Sequence, residues 1–237
     1  RSVAVTGVQT CALPILKDLA VSKPIACCCA EMQTKGRGRF GRTWLSPFGE
    51  NIYFSIRFQI TSCLAKLSGL SLLIGLSMVK VLAQLNVQDI YVKWPNDLIW
   101  QDKKLCGILI EIQTESNSSS LVTIGIGLNV NSNPAATTDI PSCSLHDISQ
   151  EYYDRNHLIA QMTNQIYTDF YKFLSTGFST FLSEWEKCDY EVVNYADTDS
   201  LFPVLRQVFS KTNFSGDFVD FMLKLKEVAL DDYIYEK

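Results

Sequence analysis

The apolar positions along the chain follow two periods, one of two residues and one near 3.6. Residues 51–60 (NIYFSIRFQI) alternate and are rich in β-branched and aromatic side chains, which predicts a strand. Residues 24–31 form a short run of the same kind that leads into a Gly-Arg-rich segment at 35–42. A strand over 90–94 is expected to end at Pro95, because proline removes a ladder donor and restricts the residue before it. Residues 98–100 and 106–113 predict a hairpin that turns at Gln101-Asp102-Lys103-Lys104, and 121–130 (LVTIGIGLNV) predicts a further strand. Helical spacing covers 64–85 and 155–174; in the second, Leu158, Ile159, Met162, Ile166, Phe170, Phe173 and Leu174 share one side. A shorter helix is expected over 176–187, and the polar stretches 115–120 and 131–144 read as turn and loop. Strands and helices mix without strict βαβ alternation, so the expected fold class is α+β, a mixed β-sheet with flanking helices.

Three segments carry residues suited to chemistry. The first, Lys35-Gly-Arg-Gly-Arg-Phe-Gly-Arg42, holds four cations and three glycines. Glycine lets backbone amides approach a ligand closely, and arginine forks match phosphate or carboxylate oxygens. Such a loop suits a polyanion, while a solvated basic loop or a nucleic-acid patch has the same composition. It fits neither the phosphate-loop pattern nor the dinucleotide fingerprint. The second segment is Val92-Lys-Trp-Pro-Asn-Asp97, followed by Lys103-Lys-Leu-Cys-Gly-Ile-Leu109. Pro95 places Asn96 and Asp97 at a strand mouth, where Asp97 is an oxygen donor suited to Mg²⁺ or a nucleotide hydroxyl. Lys104, near Gly107, can act as a point charge across a pocket; alternatively, these residues only shape a turn. In the third, Ile124-Gly-Ile-Gly-Leu-Asn129, glycine at alternate strand positions strips one face of side chains. That allows either a ligand or a close-packed neighbour.

Composition narrows the picture. The chain has 237 residues, enough for one sizeable α/β domain and a small appendage. Its net charge of −4 leaves no general basic surface, so DNA binding is not expected and any anion site must be local. No helix-turn-helix pattern precedes the first motif. The apolar stretch at 64–85 carries Lys66 and Lys80, so it reads as a buried helix rather than a membrane span. Of eight cysteines none forms a C-x-x-C pair, and only His146 and His157 could assist them. Reduced, buried thiols in a cytoplasmic protein are therefore expected, not a zinc site or disulfides.

In order and spacing, GRGRFGRTW, SPFGENIYFS, VKWPNDLIWQDKKLCGILIE and IGIGLNVN closely resemble the biotin–protein ligase catalytic domain. The likeness covers roughly 25–131 and continues weakly to FLSEWEK. The resemblance implies a class II synthetase-like fold, the substrates biotin and ATP with Mg²⁺, and transfer of biotin to a carrier-protein lysine. It implies that Gln33 reads the biotin ureido ring and that Gly36, Arg37, Gly38 and Arg39 close over biotin and the adenylate. Arg37, Arg39 and Lys104 would be catalytic, with Lys104 beside the biotin carboxylate. Gly125 and Gly127 would let biotin lie on the sheet. Arg37, Arg39, Trp44, Lys93, Asn96, Asp97 and Asn129 would face the nucleotide.

The implied partner is a biotin carboxyl carrier domain, with no membrane and with a homodimer left open. The resemblance also implies a catalytic domain over 16–188. Residues 1–15 lack a signal-peptide pattern and read as a non-native segment, without the family's Ser-Thr-Asn element. Residues 189–237 read as an atypical segment in place of a small β-barrel. Two alternatives stand beside the ligase: a non-catalytic biotin- or adenylate-binding remnant, and a ligase for another short carboxylic acid such as lipoate.

Overall fold

The computed structural model describes residues 2–9, 11–18, 23–61, 67–116, 119–134 and 141–190. The C-terminal segment beyond Tyr190 lies outside them. In chain order the elements are β1 (Ser2–Gln9), α1 (Ala12–Asp18), β2 (Ile25–Gln33), β3 (Ile52–Ile60) and α2 (Leu70–Gln84). Then follow β4 (Tyr91–Lys93), β5 (Asp97–Trp100), β6 (Lys103–Ser116) and β7 (Ser119–Leu128). Three helices close the series: α3 (Leu145–Ser149), α4 (Arg155–Thr176) and α5 (Leu182–Trp185).

The strands form one seven-stranded sheet in the order β1-β2-β3-β7-β6-β5-β4. The β1–β2 pair is parallel and the other neighbours are antiparallel, so the sheet is mixed as the pattern predicts. The β5–β6 hairpin turns on Gln101 and Asp102, both with positive φ (44° and 62°), the twist a two-residue connection needs.

Period-two alternation gives the sheet two unlike faces. Phe54, Ile56 and Phe58 of β3 and Val122, Ile124, Ile126 and Leu128 of β7 enter the main core. There they meet Leu73, Ile74 and Met78 of α2 and Met162, Ile166, Phe170 and Phe173 of α4. Phe58 stacks on Phe170 with ring centroids 4.0 Å apart. Burying each such side chain contributes about 1.5–3 kcal/mol. Beneath this layer Lys80 bridges Asp169 (3.5 Å) and Glu184 (2.6 Å), which ties α2 to α4 and α5.

The opposite face carries a smaller apolar cluster of Ala12, Leu16, Cys28, Ala30 and Tyr53. The buried Arg57 of β3 donates to the Leu16 carbonyl (2.7 Å), satisfying a group at the C-terminal turn of α1. Cys27 and Cys29 enter the main core while Cys28 faces α1, the alternation a strand imposes. Every cysteine among the described residues is a buried thiol outside any disulfide. Burial pushes the thiols of Cys29, Cys143 and Cys188 up to about 12.

Three elements depart from the sequence pattern. Helix α2 begins at Leu70, because Gly69 (φ 79°) turns the chain in a left-handed conformation; residues 62–66 lie outside the described segments. The helix expected over 176–187 is interrupted at Gly177 (φ 75°, ψ 179°), and a 3₁₀ turn at Phe178–Phe181 precedes the short α5. The stretch read as loop at 131–144 ends in the capped helix α3. Ser144 Oγ accepts from Asp147 N (3.1 Å), and the Asp147 carboxylate accepts from Ser144 N (2.9 Å). Among the described residues no helix is long and apolar enough to cross a membrane.

Candidate functional site

The Gly-Arg segment doubles back on itself as a hairpin between β2 and β3. Gln33 N donates to Ser46 O (3.4 Å), Trp44 N to Gly36 O (3.0 Å) and Gly38 N to Arg42 O (2.7 Å). Phe40 (φ 53°) and Gly41 (φ 72°) make the tip, and the Phe40 ring is 81% exposed there. A Cβ on residue 36 would lie 2.3 Å from the Trp44 carbonyl oxygen, so the two arms meet too closely for any side chain. The hairpin therefore carries its cations as a fan on a hydrogen-bonded frame.

The floor beneath it is the glycine strip of β6 and β7, where Gly107 pairs with Gly127. The Trp44 indole lies on this strip. A Cβ at Gly127 would sit 2.4 Å from Trp44 Cε2, and one at Gly107 would sit 2.9 Å from Cζ3. A Cβ at Gly125 would meet Leu13 of α1 at 2.6 Å. Thus the bare face at Gly125 and Gly127 is covered in this structure by Leu13 and Trp44.

Charged groups ring the floor. Lys104 Nζ lies 2.8 Å from Asp97 Oδ1 and 5.5 Å above the centre of the Trp44 ring. The Lys104 backbone is fixed as well: its N–H donates to Pro141 O (2.9 Å), and its carbonyl accepts from Cys143 N (3.0 Å). Arg39 reaches across from the hairpin to Asn96 Oδ1 (3.3 Å), and Asn96 Nδ2 donates to Ile108 O (2.7 Å). The amide of Gln33 links α1 to the hairpin base, accepting from Ala12 N (2.7 Å) and donating to Ser46 Oγ (3.1 Å). Asn129 is 3% exposed and donates to Cys143 O (3.0 Å), while its Oδ1 has no hydrogen-bond donor. A buried acceptor without a donor is costly and suits a site completed by a ligand or a cation. Among the described residues no group of three or more His, Cys, Asp or Glu gathers to hold a metal.

Together these elements enclose a cavity of about 360 Å³, within the range of small-molecule sites. Gln33, Arg37, Gly38, Arg39, Trp44, Asn96, Asp97, Lys104, Gly125, Gly127 and Asn129 all line it. Two of the expected residues do not. Gly36 stands at the hairpin's outer side, and Lys93 lays its ammonium over the Tyr190 ring at 4.9 Å. The structure adds wall residues that lie within the motifs but were given no role there, among them Tyr53, Ser55 and Leu109. It also adds Glu111, whose carboxylate pairs with Arg37 (2.9 Å) and with Lys17 (3.0 Å). Glu111 closes the motif at 92–111, but nothing local assigns it a role, because its partners are 74 and 94 residues away.

Comparison with known proteins decides the family. Residues 18–129 match the biotin/lipoate A/B protein ligase family. The biotin protein ligase of Aquifex aeolicus in complex with biotin and ATP superposes with a TM-score of 0.68 and 30% identity. That match covers 80% of this chain and 79% of the other. The chain belongs to the biotin/lipoate A/B protein ligase family. The bifunctional ligase/repressor BirA of Escherichia coli is 38% identical over 164 residues, 68% of this chain and 51% of that protein. The biotin–[acetyl-CoA-carboxylase] ligase of Mycobacterium tuberculosis is 33% identical over 141 residues, 58% of this chain and 51% of its own. The chain spans about half the length of these curated relatives. Family membership accords with the α+β sheet and its hairpin-covered cavity.

Proposed function

We propose that the chain is a biotin–protein ligase catalytic region that makes biotinyl-AMP from biotin and ATP and passes biotin to a carrier-protein lysine. The observation that carries this reading is the convergence of Arg39 and Lys104 on one cavity floored by the Gly107–Gly127 strip. The Trp44 indole that lies on the glycine strip offers a flat apolar ligand a surface to stack on; its reacting carboxylate and phosphate need the cations. The kinship with the ligases of Aquifex aeolicus and Escherichia coli supports it.

In the first step a biotin carboxylate oxygen attacks the α-phosphorus of ATP, and the bond to pyrophosphate breaks. Two anions must approach, so the barrier is largely electrostatic. Lys104 and Arg39 offset that charge without forming a bond to substrate, and the cavity supplies orientation. In the second step a carrier lysine amine attacks the acyl carbon, AMP departs, and the amine's surplus proton passes to solvent. The hairpin shields the mixed anhydride from water between steps. Asn129, whose Oδ1 has no donor, would hold the magnesium that accompanies ATP, and the metal would offset phosphate charge. The proposed acceptor is a biotin carboxyl carrier domain.

The test uses ATP labelled at the α-phosphate. Biotin-dependent formation of a labelled adenylate, followed by discharge onto a carrier domain, is the expected result. Adenylate formed equally well with lipoate, or no adenylate with either acid, removes the proposal.

A further inference from the structure

The hairpin rests on β6 along one short ridge. Residues 107, 109 and 111 alternate onto the same face of that strand. Gly107 underlies Trp44, and Leu109 borders both the inner cavity and the groove on the hairpin's outer side. Glu111 ends the row as the one carboxylate among residues lining that groove, facing Lys35, Arg37, Arg39 and Arg42. Its side chain is 18% exposed and its two oxygens are divided, Oε1 to Arg37 of the hairpin and Oε2 to Lys17 of α1. Arg37 is half-exposed and its guanidinium pairs with Glu111 although the residue also lines the inner cavity.

From this we infer that Glu111 is a positioning residue: through Arg37 it holds the hairpin down on β6 and governs how long the cavity stays covered. Near its base the hairpin is also seated by the Trp44 indole on the Gly107–Gly127 strip. Beyond Trp44, toward the tip, the other grip is the 3.3 Å contact of Arg39 with Asn96. Lys17 aims the Glu111 carboxylate, so the hairpin and α1 share one anchor. Because an anion in the cavity competes for the same guanidinium, Arg37 can leave Glu111 for a ligand phosphate or carboxylate.

The consequence for catalysis rests on the ligase reading; the hold on the hairpin does not. Phe40 is a chymotrypsin site at the tip; the protease binds an extended segment, so the hydrogen-bonded frame around Phe40 must open locally before cleavage. The fragment ending at Phe40, followed by mass spectrometry in the ligand-free protein, reports that opening. Glu111→Gln is expected to raise its rate about threefold at low salt, the scale of a partly exposed ion pair. Salt near 0.5 M should bring the parent up to the same rate and leave the variant unchanged. Arg37→Gln should match Glu111→Gln, and the double variant should be no faster than either. Should Glu111→Gln be cut throughout its core, the half-exposed Arg37→Gln carries the same comparison.

In turnover, Glu111→Gln should raise AMP released per biotin transferred about threefold, with KM for biotin nearly unchanged, because adenylate escapes from a looser hairpin. Cleavage at the parent rate in both single variants, or undiminished salt sensitivity, overturns the inference. A parent without biotin-dependent AMP formation removes the ligase reading instead, and the protease comparison still decides the role of Glu111.

Discussion

The two faces of the sheet are built from the same strands and obey opposite rules. On β7, Val122, Ile124, Ile126 and Leu128 fill the core against α2 and α4, whereas Gly125 and Gly127 on the other face offer no side chain. On β3, Phe54, Ile56 and Phe58 face the core; Tyr53, Ser55 and Arg57 face α1 and the cavity. The core face maximises apolar area removed from water and so carries stability. The site face gives up that area for a flat floor, fixed cations and an orphaned acceptor at Asn129. Stability and chemistry are thus divided by a two-residue period within each strand.

That division can be broken from either side. The largest effect is expected on the core face, where Phe58→Ala should cost about 3–5 kcal/mol in urea unfolding. Its ring is fully buried and stacked on Phe170, so a loss below about 1 kcal/mol would contradict the packing. On the site face Lys104→Ala should cut adenylate formation about 10²–10³-fold. Its stability should stay near that of the parent, and adenylate formation at the parent rate would remove the role given to Lys104.

Gly127→Val tests the floor itself. A Cβ there meets Trp44 at 2.4 Å, so the indole must lift, at a cost of about 1–3 kcal/mol for overpacking. The expected readout is a shift in tryptophan emission together with weaker biotin binding; unchanged emission would mean the indole does not lie on the strip. The smallest effect belongs to the buried thiols. Burial holds Cys29, Cys143 and Cys188 up to about 12, above the ordinary thiol range. A thiol whose folded pKa is raised stabilises the fold fully below its unfolded pKa and loses that contribution as pH rises toward the folded one. Raising pH from about 8 to about 9 should lower Tm by roughly 2–4 °C in calorimetry. A Tm that rises over this interval would place the thiols in contact with water.

Much of the core face was legible because burial against one neighbouring layer leaves a regular period. The strand over 51–60 and the helix over 155–174 both emerged within a few residues of their ends. Strand β1 and helix α1 were not anticipated, since neither carries a long period. Helix α3 had a signal, Ser144 three residues before Asp147, yet its five residues are too few for an apolar repeat. Among the residues singled out in the motifs, Arg39, Asn96, Asp97, Lys104 and Asn129 line one cavity. Gly36 and Lys93 share those motifs and stand outside the cavity. A motif fixes position along a strand, while side-chain direction depends on what packs beside it.

The amino-acid sequence by itself determined the alternation of the strands, the buried face of α4 and the local density of cations and glycines at 35–42. Each is a short-range property, set by side-chain period and backbone freedom within a few residues. Only the tertiary structure decided that Trp44 covers Gly107 and Gly127, that Lys104 pairs with Asp97, and that Arg37 is held by Glu111. Those arrangements depend on register between strands and on the return path of the hairpin. The contacts of Arg37 with Glu111 and of Trp44 with Gly127 join residues more than sixty positions apart, which no local period encodes.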